Sequence, residues 1–176
     1  MSLDRALLIA ARTRLHTPAL ERVVAAYSRT GEHGACWLAL AGAGALLDPR
    51  SGARARWVRG ARIVLAAYGL NFAVKVLVRR RRPELDGLPP LTPTVSRLSF
   101  PSAHCTMSFA AARAFAGLAP APALYAAAIL FALSRPYLGV HYPSDVVGGA
   151  MLGTAIAAVW PGAELRWPGP GIGEIR

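Results

Sequence analysis

The chain has 176 residues, room for one ordinary domain, and 54% of them are hydrophobic, with a mean hydropathy of +0.36. That apolar content is high for a water-soluble domain and points to a membrane-embedded one. The net charge of +11 comes from 19 arginines and one lysine against nine acids. The arginines flank apolar runs instead of interleaving with aromatics, so lipid headgroups are the expected partner and nucleic acid is not.

Residues 1–33 combine Leu3, Leu7, Leu8, Leu20, Val23 and Val24 with Arg5, Arg12, Arg14, Glu21 and Arg22. This pattern predicts two amphipathic helices lying on the membrane surface, split near Pro18, with Thr17 starting the second and Pro18 in its first helical position. Charges at Asp4, Arg5, Arg12 and Arg14 argue against a cleavable signal peptide. Gly31-Glu32-His33-Gly34 reads as a helix-start loop, with substrate contact as the alternative.

Five apolar segments follow, at 34–47, 61–78, 103–118, 121–138 and 146–160. They predict an all-α integral membrane bundle of about five transmembrane helices, residues 34–162, within a single domain 1–176 that ends in a loose tail at 163–176. Each segment is shorter than, or barely equal to, the roughly 20 residues a crossing needs. Tilt, snorkelling arginines and bundle packing must supply the rest. Gly148, Gly149 and Gly153 predict close helix packing in the last segment. Cys36 and Cys105 lack metal spacing and read as small apolar positions.

The connector 79–100 carries Pro83, Pro89, Pro90 and Pro93 and is too long for a tight turn, a length often associated with function. Counting crossings puts it on the same membrane side as the turn at 137–144. Three groups of polar residues converge there. Lys75 and Arg82 are seven residues apart, so two helical turns would place both on one face before Pro83 stops the helix. Arg79, Arg80 and Arg81 read as headgroup anchors. Pro101-Ser102-Ala103-His104 opens a helix, with Ser102 as N-cap and the free amides as an anion seat. Ser134 and Arg135 end an apolar run, where a buried cation calls for an anion, and His141 and Asp145 follow within reach of each other. Taken singly, each piece has an ordinary structural explanation. Together they form an oxyanion site with two histidines.

These blocks, Lys75 with Arg82-Pro83, Pro101 to His104, and Ser134-Arg135 with His141 and Asp145, resemble the tripartite signature of the type 2 phosphatidic acid phosphatase (PAP2) superfamily. Ala103 stands where that family usually has Gly, which narrows the approach of phosphate to the backbone. The resemblance implies a phosphoric monoester hydrolase acting on a lipid phosphate, with no metal and no cofactor. It implies that His104 attacks phosphorus to form a phosphohistidine, that His141 protonates the leaving alcohol and later activates water, and that Asp145 positions His141. Lys75, Arg82, Arg135, Ser102, Ser134 and the Ala103 amide would hold the phosphate oxygens. Within the superfamily, residues 31–34, 100–104 and 137–145 look like the actinobacterial branch that removes the 5-phosphate of decaprenylphosphoryl-5-phosphoribose. Phosphatidic acid, phosphatidylglycerophosphate and polyprenyl diphosphate remain alternative substrates. A non-catalytic membrane scaffold, which would need neither histidine, is the rival from another class.

Arg5, Arg12, Arg14, Arg22, Arg29, Arg79, Arg80, Arg81 and Arg97 fall on the site side and slightly outnumber the basic residues opposite, where Arg50, Arg54, Arg56, Arg59 and Arg62 crowd one loop. The positive-inside rule therefore leans towards a cytoplasmic site in a multi-pass protein of the cell membrane.

Overall fold

A computed structural model describes residues 2–161, and the tail expected at 163–176 lies outside them. Among the described residues seven α-helices run in the order α1 (Leu3–Thr13), α2 (Pro18–Thr30), α3 (Ala35–Leu47), α4 (Ala53–Val78), α5 (Ala103–Phe115), α6 (Ala121–Tyr137) and α7 (Pro143–Val159), with a 3-10 turn at Glu32–Gly34 before α3. Among the described residues the β-structure is limited to isolated bridges. Helix α5 is central and touches α4, α6 and α7, while α3 packs on α4 and the α1–α2 pair lies across α6.

The two N-terminal helices break as expected. Thr17 Oγ1 accepts from the Leu20 N–H at 3.2 Å, and Pro18 occupies the first turn, where its missing N–H leaves nothing unsatisfied. Their apolar faces are divided. Leu8 is buried against the bundle, whereas Leu3, Leu7, Leu15 and Val23 are exposed.

Helix α4 begins eight residues before the expected start at 61 and takes in Arg54, Arg56, Arg59 and Arg62. The buried residues Ala53, Trp57, Gly60, Ile63, Val64, Ala67, Asn71 and Lys75 explain why. They recur every three or four positions, so one continuous stripe faces the core and the arginines turn outwards. The same stripe carries Lys75 inwards at its far end. With 26 residues, α4 is the one helix among the described residues that is long and apolar enough by itself to cross a bilayer. The other four bundle helices have 13 or 17 residues.

The expected close packing in the last helix is present, between α7 and α5. A Cβ on Gly149 would lie 2.6 Å from the Ser102 carbonyl oxygen, and one on Gly153 would overlap the Thr106 carbonyl and sit 3.0 Å from the Ala110 nitrogen. Backbone therefore meets backbone, which small residues allow and a larger side chain would prevent. Gly153→Ala is expected to cost about 1–3 kcal/mol through forced separation of the two helices. Gly42 on α3 has open space around its Cβ position, so Gly42→Ala is expected to be neutral or stabilising by up to about 1 kcal/mol. Thermal unfolding of both variants in detergent checks the contrast, and equal midpoints would contradict it.

Candidate active site

The C-terminal ends of α4 and α6, the N-terminal ends of α5 and α7, the connector 79–102 and the end of α2 meet at one pole of the bundle. The α5–α7 contact fixes two of these ends against each other, because the Ser102 N–H donates to the Asp145 carbonyl at 3.0 Å. His104 follows in the first turn of α5 and is buried. Its Nε2 lies 3.0 Å from the Ser28 carbonyl, which can only accept, so Nε2 carries the proton and Nδ1 the lone pair.

Lys75 and Arg82 both reach the site, but the expected shared helical face is not what brings them there. Helix α4 stops at Val78, and Arg79 takes a left-handed conformation with φ 53°. The connector then runs extended, with a bridge between Arg81 and Leu98 and an Arg82 N–H bond to the Arg97 carbonyl at 3.1 Å. Two physical causes agree: Pro83 disfavours a helical Arg82, and four successive arginines repel one another at a helix end. Lys75 Nζ donates to the Ser99 carbonyl at 3.0 Å. Arg82 donates through Nε to the Ser96 carbonyl at 2.6 Å, and through Nη1 to the Val140 carbonyl at 2.7 Å and to His141 Nε2 at 3.1 Å. Burial pushes the Arg82 guanidinium down to about 10, partly offset by the charge of Asp145.

At the end of α6, Arg135 Nη1 donates to Ser28 Oγ, and the Arg135 Nε is buried with no partner. Ser134 Oγ donates to the Phe131 carbonyl at 2.7 Å and lies 3.5 Å from Ser28 Oγ. Ser102 occupies the expected N-cap position, yet its side chain makes no capping bond and its buried Oγ is unpaired. An unpaired buried hydroxyl and an unpaired buried guanidinium N–H are costly unless a ligand satisfies them. Ala103 starts α5 and is half-buried, with its N–H among the first-turn amides that have no acceptor within the helix.

His141 and Asp145 form a buried pair with Nδ1 and Oδ2 3.4 Å apart. Since Arg82 donates to Nε2, the ring proton is on Nδ1, facing Asp145 and the Ser99 hydroxyl at 3.3 Å. Burial holds the His141 ring well below its ordinary pKa. The Asp145 bond opposes that shift, while Arg82, Arg135 and Lys75 reinforce it. Asp145 is saturated: Oδ2 accepts from the Ser99 hydroxyl and from the Tyr142 N–H at 2.9 Å, and Oδ1 accepts from Arg80 Nη1 at 2.9 Å.

Sequence reasoning missed four residues here. Ser28 and Ser99 are small polar residues with no motif around them. Asn71 bonds the Pro101 carbonyl at 3.2 Å and Thr106 Oγ1 at 2.9 Å, and its place inside the apolar run 61–78 was the available signal. Arg80 is no headgroup anchor: it turns inwards, and its guanidinium lies 4.2 Å over the Tyr142 ring. His33 bonds the Tyr68 hydroxyl at 2.9 Å within the turn before α3, as a helix-start loop allows. Among the described residues no group of three His, Cys, Asp or Glu side chains is placed to hold a metal.

Comparison with known proteins bears on this arrangement. Residues 58–166 match the model of the PAP2 superfamily. The decaprenylphosphoryl-5-phosphoribose phosphatase of Mycolicibacterium smegmatis is 46% identical over 126 residues, covering 70% of this chain and 68% of that protein. The protein of the same name from Mycobacterium tuberculosis is 40% identical over 132 residues, covering 75% and 73%. Among solved structures, Aquifex aeolicus LpxE superposes with a TM-score of 0.76 at 22% identity, over 90% of this chain and 94% of that one. A transmembrane PAP2-type phosphatidylglycerolphosphate phosphatase from Bacillus subtilis superposes at 0.68 with 24% identity, over 88% and 80%. The chain thus has the fold of transmembrane phosphatases, it is a lipid phosphate phosphatase, and it belongs to the PAP2 superfamily.

Proposed function

We propose that the protein removes the 5-phosphate of decaprenylphosphoryl-5-phosphoribose, giving decaprenylphosphoryl-ribose, by a metal-independent route through a phosphohistidine. The observation that carries the reaction is the pair of orphaned donors, Ser102 Oγ and Arg135 Nε, beside two buried histidines. The substrate rests on the similarity to the two mycobacterial phosphatases of that name.

In this reading the phosphate displaces Ser28 Oγ from Arg135, draws Arg82 from His141 Nε2, and takes bonds from Lys75, Ser102, Ser134 and the Ala103 and His104 amides. His104, as the neutral imidazole, attacks phosphorus through a ring nitrogen. The charge of the bound phosphate favours a second proton on His141, at Nε2; the bond between phosphorus and the 5-oxygen of the ribose breaks as the P–N bond forms, and His141 Nε2 gives that proton to the leaving oxygen. Water, losing its proton to His141, then cleaves the P–N bond. Asp145 keeps the His141 Nδ1 proton in place and stabilises the imidazolium. The three cations supply the charge stabilisation that a metal supplies elsewhere.

The site pole lies at the level of the bilayer interface, with α1 and α2 resting there through Leu3, Leu7, Leu15 and Val23, and α3 to α7 crossing as a multi-pass bundle of the cell membrane. The site-side arginines slightly outnumber those opposite, so the orientation leans to the cytoplasm, against the crowding of Arg50, Arg54, Arg56, Arg59 and Arg62 on the other side.

His104→Ala is expected to abolish phosphate release while expression and folding persist, and a chelator is expected to leave the wild type active. Purified protein assayed on decaprenylphosphoryl-phosphoribose, phosphatidic acid, phosphatidylglycerophosphate and decaprenyl diphosphate checks the substrate. Preference for a phospholipid would remove the proposed one, and inhibition by the chelator would remove the metal-free route. Inorganic phosphate is expected to raise the melting temperature. Ser28→Ala should lower that temperature more without phosphate than with it, because Ser28 occupies Arg135 when phosphate does not; equal losses would contradict this. His141 must be protonated to serve as acid, so activity falls as pH rises through its pKa. Arg82→Met removes a cation that lowers this pKa, and is expected to cut kcat and move the alkaline limb of its pH profile upwards.

A further inference from the structure

Arg80 and Asp4 are not among the residues that the phosphatase signature places, yet together they close the far side of the Asp145 carboxylate. Arg80 Nη1 donates to Asp145 Oδ1 at 2.9 Å and to Ser144 Oγ at 2.6 Å, and Nη2 donates to Asp4 Oδ2 at 2.6 Å. Asp4, in the first turn of α1, accepts the Ser144 N–H at 2.9 Å and the Ser144 hydroxyl at 2.5 Å. The Arg80 guanidinium is also stacked over Tyr142, the residue just before α7. A fork shared between two carboxylates and lying over an aromatic ring has little rotational freedom.

Asp145 thus has four fixed neighbours, and among the described residues only Arg80 reaches Oδ1. Oδ2, which takes Ser99 and the Tyr142 N–H, is the oxygen that faces His141. The plane of the carboxylate is therefore held from both sides, by Ser99 and the Tyr142 N–H at Oδ2 and by Arg80 at Oδ1. Without a donor at Oδ1 the plane is free to twist, and the His141 Nδ1–H loses its fixed acceptor.

We propose that Arg80, clamped by Asp4 of the first amphipathic helix, is a positioning residue that orients Asp145 towards His141, so that docking of α1 is part of assembling the catalytic pair. The inference rests on the proposed role of His141 and Asp145 as proton relay. Its charge effect has a definite sign. His141 faces Asp145 and the cations Arg82, Lys75 and Arg135, and Arg80 partly neutralises the one anion among these. Removing Arg80 leaves Asp145 more negative towards the ring and makes the imidazolium easier to form.

The test compares Arg80→Met, Arg80→Lys, Asp4→Asn, their double variant Asp4→Asn/Arg80→Met, and Asp145→Asn as reference, each as monodisperse full-length protein in detergent. Arg80→Met is expected to lower kcat about 10- to 100-fold with KM little changed, and to shift the alkaline limb of the kcat profile upwards. Arg80→Lys keeps the charge but cannot bridge both carboxylates, so the limb should return towards wild type while kcat stays reduced. Asp4→Asn should lower kcat in the same direction, and adding it to Arg80→Met should cost little more, as expected for residues acting as one unit. Arg81→Met, at an exposed neighbour, serves as the control. Wild-type kcat and an unmoved limb in Arg80→Met overturn the inference if Asp145→Asn is inactive, as does a mere loss of melting temperature with kcat and limb unchanged. Full activity of Asp145→Asn overturns the relay itself and with it the inference.

Discussion

Helices α5 and α7 touch backbone to backbone at Gly149 and Gly153, and the positions of the site groups follow from that contact. The Ser102 carbonyl rests where a Gly149 side chain would be, and the Ser102 N–H reaches the Asp145 carbonyl. His104 and Asp145 belong to different helices, so their separation depends on how closely those helices approach. In a bilayer no hydrophobic force presses helices together, and approach is limited by side-chain bulk alone. Gly149 and Gly153 thus matter to the proposed chemistry as the histidines do, although neither has a polar side chain.

A second constraint is the separation of charges. Among the described residues Lys75, Arg82 and Arg135 have no carboxylate partner. They rest on carbonyl oxygens, a ring nitrogen and the Ser28 hydroxyl. Two buried cations and a half-buried one, held by neutral acceptors, remain unneutralised, and an entering anion gains what a fixed salt bridge would have taken. Asp145, the one fully buried carboxylate among the described residues, is kept behind His141 by Ser99, the Tyr142 N–H and Arg80. If that charge lay on the phosphate side it would repel the substrate. Behind the ring it can act on His141 alone.

Much of this was legible in the sequence, for identifiable reasons. The bundle helices could be located because apolar runs are long and their breaks fall at Pro and Gly. The predicted site residues converge at one pole because crossing parity fixes which loops share a side. The failures share a cause as well. The seven-residue spacing from Lys75 predicts a helical Arg82, because spacing alone cannot show that Arg79 turns left-handed and ends the helix. The sequence predicts an anchor at Arg80 because one arginine in a run of four looks like the others; the extended backbone at the Arg81–Leu98 bridge sends Arg80 and Arg82 inwards and leaves Arg81 exposed. Ser28 and Ser99 act through a carbonyl and a hydroxyl, groups whose relevance appears only when distant segments are brought together.

The N-terminal segment shows why such residues carry weight. Leu3 and Leu7 face outwards from α1, while Asp4, Leu8 and Arg12 of the same helix face the bundle. Arg12 bonds the Tyr137 carbonyl at 3.2 Å and the Pro89 carbonyl at 2.8 Å, tying the connector to the end of α6. Gly139 makes this possible: its φ is 75°, and a Cβ there would lie 2.8 Å from Arg12 Nε. Helix α2 then brings Ser28 to His104 and Arg135. In the proposed placement of the site at the bilayer interface, the lipid surface that presents the substrate tail also receives Leu3 and Leu7 of the helix whose other face completes the polar site, so one helix meets both the membrane and the catalytic pair.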